Sequence, residues 1–153
     1  MPHLIRIDWP DFGTPSLPPP LSLPEMERRL AALRAAAKAA GHTVMVVYGD
    51  REHAANLHWL TGFDPRFEES VLVVTADDAL LLAGNECLPY TGIAPLVRSG
   101  AIRVGHCASL SLPSQPRQSR SLKSWLLEIV PQGTLKVVLQ VFVQGNEYLC
   151  HQP

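Results

Sequence analysis

The chain has 153 residues, 46% of them hydrophobic and 18% charged, with 13 Lys and Arg against 14 Asp and Glu. These proportions describe a folded globular chain and exclude a disordered or fibrous one. A net charge of −1, with arginines and lysines scattered along the chain, offers no basic field for nucleic acid, and apolar runs such as 44–47 and 79–83 fall far short of the ~20 residues a bilayer span takes.

Seven of the 14 prolines lie in residues 1–24, with Pro18, Pro19 and Pro20 in a row, so this stretch reads as an extended arm, either a strap along a domain surface or a ligand for a Pro-binding module. Asp8 and Asp11 interrupt it where a secretory signal would need a continuous apolar core, so the expected compartment is cytoplasmic. From Glu25 the pattern turns helical. Met26, Leu30, Leu33 and Ala37 share one stripe, Ser22 with Glu25 fits a capping box, Pro24 sits in the first turn and Gly41 supplies the stop. The β-branched run 44–47 predicts a buried central strand whose end, at Tyr48-Gly49, opens into a loop.

Residues 54–60 suit a short helix broken at Thr61-Gly62, and Asp64-Pro65 turns the chain. Strands at 71–74 and 80–83 flank Thr75-Ala76-Asp77-Asp78, a polar connection of hairpin length. Pro89 and Pro95 keep any helix between 86 and 98 short, 101–105 predicts a further strand, and 109–121, with Pro113 and Pro116, predicts a surface loop. A helix over 122–130, closed by Pro131 and Gly133, and a strand over 135–143 complete the chain. Helix and buried strand in succession give a single α/β domain with a mixed sheet flanked by helices.

The chemistry-bearing residues are few. No G-x-S-x-G elbow, G-x-x-x-x-G-K-[ST] or G-x-G-x-x-G is present. Cys87, Cys107 and Cys150 are odd in number and lack a C-x-x-C pair, so they read as reduced thiols. The densest polar stretch runs from Tyr48 to His53, with His58 beyond it. His53 and His58 are five residues apart and ~140° apart on a helix, which misses the H-x-x-x-H metal spacing, and a solvated capping loop accounts for Asp50, Arg51 and Glu52. In Thr61-Gly62-Phe63-Asp64-Pro65-Arg66, neither Phe63 nor Arg66 has a helical or strand face, so the loop either meets a partner or plugs the core edge with Phe63 while Arg66 pairs with Glu68 or Glu69.

Tyr48-Gly49-Asp50-Arg51-Glu52-His53, Ala55-Asn56-Leu57 and the run from Trp59-Leu60-Thr61-Gly62-Phe63 to Glu69 resemble the N-terminal domain of the creatinase, prolidase and Xaa-Pro aminopeptidase family. The resemblance takes in most of residues 10–130 and fades after Gly133. It implies a ribonuclease H-like mixed sheet, a 1–24 arm, a domain over 25–143 and an atypical tail over 144–153. In the family, hydrolysis belongs to a following domain in which two Asp, two Glu and one His hold two divalent metal ions. Past Asp78 this chain has no aspartate and only Glu86, Glu128 and Glu147, too few ligands for such a centre. The resemblance therefore implies a chain with no catalytic, cofactor-binding or metal residues of its own. Its expected role is that of a lid or oligomerisation module, truncated relative to the family, with Trp59, Phe63 and Arg66 as candidate substrate-lid or subunit-interface residues. The expected partner is a second copy or a full-length family member, with no nucleic acid and no membrane. Two other readings stay open: a metal-dependent Xaa-Pro peptidase whose catalytic domain is lost by frameshift or early stop, and a stand-alone protein-binding module.

Overall fold

The computed structural model describes residues 5–8, 10–14, 20–66, 68–112, 118–130, 132 and 137–140. Helix α1 (Leu23–Ala39) begins two residues earlier than the apolar stripe indicates. Ser22 Oγ accepts from the Glu25 N–H at 3.4 Å, and Pro24 occupies the first turn, where its missing N–H leaves nothing unpaired. The capping box is half made. Instead of reaching back to Ser22, the Glu25 carboxylate lies along the helix against Arg28 and Arg29, each at 2.8 Å.

Five strands follow among the described residues: β1 (Val44–Gly49), β2 (Ser70–Thr75), β3 (Ala79–Ala83), β4 (Arg103–His106) and β5 (Val137–Gln140). They lie in the order β4-β3-β2-β1-β5. The pairs β1/β2 and β2/β3 are antiparallel, whereas β3/β4 and β1/β5 are parallel, so the sheet is mixed as expected. The hairpin between β2 and β3 closes where the polar connection predicts it. Thr75 N–H donates to Asp78 O at 2.9 Å, and Asp78 N–H donates to Thr75 Oγ1 at 3.0 Å. Strand β4 starts later than the expected 101–105, because Gly100 N–H turns back to Val97 O and Ile102 N–H to Leu96 O, drawing 99–102 into a turn. Of the expected last strand, 137–140 is observed; 135–136 and 141–143, like the tail over 144–153 and arm residues 1–4, 9 and 15–19, lie outside the described residues.

The period-2 alternation of the strands sorts their side chains onto two covered faces. Met45, Val47, Leu72, Val74, Leu81 and Ala83 face α1, α2 (Ala55–Thr61) and α3 (Pro95–Arg98). Val44, Val71, Val73, Leu80 and Leu82 face Ile129, with Leu122, Trp125 and Leu126 of α4 (Leu122–Ile129) packed against them. This three-layer α/β arrangement is the fold class the sequence implies. Among the described residues no helix is long and apolar enough to cross a membrane.

Ion pairs tie the layers at their rims. Arg103 reaches Asp78 at 2.5 Å and Glu128 at 3.2 Å, and Arg120 also pairs with Glu128. Hydrogen bonds from Arg28 and Arg29 hold the Glu25 carboxyl down to about 2 from its ordinary 4.5. Asp78 is lowered by Arg103, and Glu128 by Arg120 and Arg103. Carboxyls depressed in the folded chain stabilise it above their ordinary values and lose that contribution as pH falls toward their folded values. The urea midpoint is therefore expected to be level above pH ~5 and to fall steadily between ~4.5 and ~2.5. Glu25→Gln is expected to flatten part of that slope.

Candidate functional site

Register places Gly49, Ser70, Ala83 and His106 in one row across the end of the sheet. Four groups of described residues gather just beyond this row: 50–53, 64–66 with 68–69, 84–87 and 107–111. The polar stretches at 48–53, 61–66 and 68–69 lie at this end, whereas the Thr75–Asp78 connection closes the hairpin at the other.

In the first segment, Asp50 Oδ1 accepts from the N–H groups of Glu52 at 2.8 Å and His53 at 2.7 Å, and His53 Nδ1 lies 3.0 Å away. The carboxylate closes its own loop as an Asx turn and does not cap α2, whose N-cap, Ala54, makes no side-chain bond. Burial works to raise the Asp50 carboxyl, but the hydrogen bonds from Glu52 and His53 bring it below its ordinary value. Tyr48 is driven the other way, first by burial and then by the negative charges of Glu69 and Asp50. Of the solvated capping loop expected over 50–52, the exposure of Arg51 and Glu52 is observed and the helix cap is not.

Buried hydrogen bonds build the start of the 61–66 loop. Gly62 adopts φ 75° and ends α2, giving its N–H to His58 O. Thr61 Oγ1 donates to Leu57 O at 2.6 Å and accepts from Phe63 N–H at 3.0 Å. Phe63 is fully buried, its ring 5.5 Å from that of Tyr90. Of the two readings of this loop, the one that plugs the core edge with Phe63 describes its position; Arg66 forms no ion pair with Glu68 or Glu69 among the described residues. Arg66 is exposed at φ 62°, the one non-glycine residue with positive φ among those described. That conformation costs roughly 1–2 kcal/mol for an L-residue. Asp64 Oδ1 offsets part of it by accepting the Arg66 N–H at 2.8 Å.

Trp59 is 49% exposed, yet its ring is fixed. The Arg29 guanidinium lies 4.9 Å from the ring centroid and donates to Trp59 O at 2.9 Å, while also gripping Glu25. The three candidate residues thus divide: Trp59 and Arg66 present side chains to solvent on either side of Gly62, and Phe63 points inward beneath them.

Glu68, which a charged run makes look solvated, is 2% exposed. Its carboxylate accepts from the N–H groups of Glu86 at 3.0 Å and Cys87 at 2.8 Å. Gly84 makes this possible, since a Cβ there would stand 2.8 Å from Glu68 Oε2 and 2.7 Å from Ser111 Oγ, which itself accepts from Asn85 N–H. The same segment reaches back to the loop: Cys87 Sγ–H donates to Pro65 O at 2.8 Å and Tyr90 O–H to Asp64 O at 3.2 Å. Burial pushes the Cys87 thiol up to about 11, so it is an unreactive hydrogen-bond donor. Cys87 and Cys107 are both free and buried. His106 Nε2 meets Asn85 Oδ1 at 2.7 Å at the same sheet end. Period and spacing carry no trace of these contacts; the only sequence signal was the lone Gly84 directly after a strand.

No group of three His, Cys, Asp or Glu residues that could hold a metal ion occurs among the described residues. Asp50 and His53 offer two donors already spent on each other. The donor set among the described residues does not fit a two-metal hydrolytic centre.

Residues 29–86 match the model of the Creatinase/Prolidase N-terminal domain family. Among solved structures, X-prolyl aminopeptidase from Caenorhabditis elegans, described as a cytosolic enzyme with a di-nuclear active site, is similar with 16% identity and a TM-score of 0.54 over 74% of this chain and 19% of that one. Dipeptidase PepE from Mycobacterium ulcerans shares 22% identity at a TM-score of 0.45, over 56% and 23% of the two chains. An XXA-pro aminopeptidase from Streptococcus pyogenes shares 14% at 0.41, over 76% and 92%. No curated protein matches. The chain spans less than a quarter of the length of the nematode and mycobacterial enzymes. The matched residues run from the middle of α1 through β1, α2 and the hairpin to the Gly84 turn, the span that builds the 61–66 loop and the Glu68 anchor. The similarity to that family thus rests on residues 29–86, from the middle of α1 to the turn after β3.

Proposed function

We propose that this chain is a non-catalytic N-terminal domain of a Xaa-Pro peptidase-like protein and that it works by docking, through Trp59 and Arg66, on another subunit of the same kind. The observation that carries the reading is the contrast within one loop. Phe63 beneath it is buried and its N–H hydrogen-bonded, while Arg66 is held outward in a strained left-handed conformation that packing alone does not call for. A lid or oligomerisation surface needs such a feature, with rigid aromatic and guanidinium groups that lose little freedom on contact. Peptide hydrolysis belongs, on this reading, to the catalytic domain of a family member and not to the residues here. The kinship with a cytosolic aminopeptidase supports a cytoplasmic setting.

Sedimentation velocity on the purified chain tests this with a second copy as partner. A concentration-dependent dimer is expected, weakened at least tenfold, about 1.4 kcal/mol, by Trp59→Ala combined with Arg66→Gly. Glycine at 66 tolerates the left-handed backbone and removes the whole exposed side chain, guanidinium included, so the variant stays folded. A chain that is monomeric throughout, or a dimer indifferent to both substitutions, contradicts the proposal.

A further inference from the structure

We propose that Glu68 is a positioning residue for Arg66, the buried link through which the Gly84–Cys87 turn holds the contact loop in its left-handed form. The inference rests on the reading of Arg66 as a contact residue and adds the device that sets it. Glu68 sits two residues after Arg66 and acts on the loop from both ends. Its N–H donates to Pro65 O at 3.1 Å, and its carboxylate oxygens take the N–H groups of Glu86 and Cys87. Cys87, positioned by that bond, returns its thiol hydrogen to the same Pro65 carbonyl, and Tyr90 O–H holds the carbonyl of Asp64. The two peptide groups preceding Arg66 are thereby held from the 84–90 side, and Glu68, two residues beyond it, is anchored to the same turn.

A packing role alone would not select a carboxyl group here. At 2% exposure, with no ion-pair partner among the described residues, an apolar side chain of similar volume would fill the space without needing donors. What the carboxyl adds is direction, because both its oxygens are spent on one neighbouring turn. Gly84 keeps the approach open, as the absent Cβ would stand 2.8 Å from Glu68 Oε2.

Limited trypsinolysis tests the link without any partner. Cleavage after Arg66 is expected to be slow relative to cleavage after Arg51, exposed in the neighbouring loop. Glu68→Gln, which keeps shape but presents an amide N–H₂ to a backbone donor, is expected to raise the Arg66 to Arg51 ratio at least tenfold with the far-ultraviolet circular dichroism unchanged. Tyr90→Phe, which removes the O–H bond to Asp64 O and the 3.0 Å contact with Cys87 Sγ, is expected to raise it about threefold and serves if Glu68→Gln does not fold. In sedimentation, Glu68→Gln is expected to weaken the dimer in the wild-type background and to have no further effect on Arg66→Gly. An unchanged cleavage ratio in the folded variants, or the same loss of dimer with and without Arg66, overturns the positioning role. A dimer insensitive to Arg66 itself would instead speak against the docking surface, so the two failures are separable.

Discussion

Replacing Gly84 by alanine is expected to destabilise the chain by about 2–4 kcal/mol, measured as a lower urea midpoint at unchanged slope. The cost does not come from the backbone, since Gly84 is not among the glycines with positive φ. It comes from crowding: the new methyl would stand 2.7 Å from Ser111 Oγ, 2.8 Å from Glu68 Oε2 and 2.9 Å from Glu68 Cδ. Side-chain ends can often swing clear, but these two are buried and each holds a backbone N–H, Asn85 in one case and Cys87 in the other. Moving them strands those donors. Gly92→Ala is the matched control, because a Cβ there meets nothing within 4 Å, and it is expected to change stability by less than about 0.5 kcal/mol.

Phe63→Ala is expected to cost about 3–5 kcal/mol by the same measurement. The ring has no exposure and packs against Tyr90, so truncation removes a full aromatic burial and leaves a cavity under the loop. Phe63→Leu, which restores most of the volume, is expected to recover roughly half of that loss. The consequence for function is practical: a Phe63 variant that fails to associate reports on folding, whereas Trp59 and Arg66 variants report on the surface.

The architecture was largely legible in the sequence because it follows local rules. The cap at Ser22, the stop at Gly41, the β-branched run of β1 and the Thr75–Asp78 connection each act within a few residues, and each produces the expected element. The register of β4 was not legible, because it depends on a turn over 99–102 that folds back onto α3 through Ile102 N–H. The site divides the same way. That the 61–66 loop matters could be read from its glycine, proline and unpaired aromatic residue; which side chain faces inward could not, because a loop has no period and Tyr90, which covers Phe63, lies 27 residues away in sequence. Glu68 was legible only as one charge in a polar run. Its burial depends on donors 18 and 19 residues downstream and on a missing Cβ at Gly84.

The claim that this chain acts by contact rather than by chemistry is tested most directly by Xaa-Pro dipeptide hydrolysis with the purified protein in added Mn²⁺ or Co²⁺. The account predicts a rate no higher than that of the metal alone. Turnover that scales with the amount of this chain and survives further purification would contradict it.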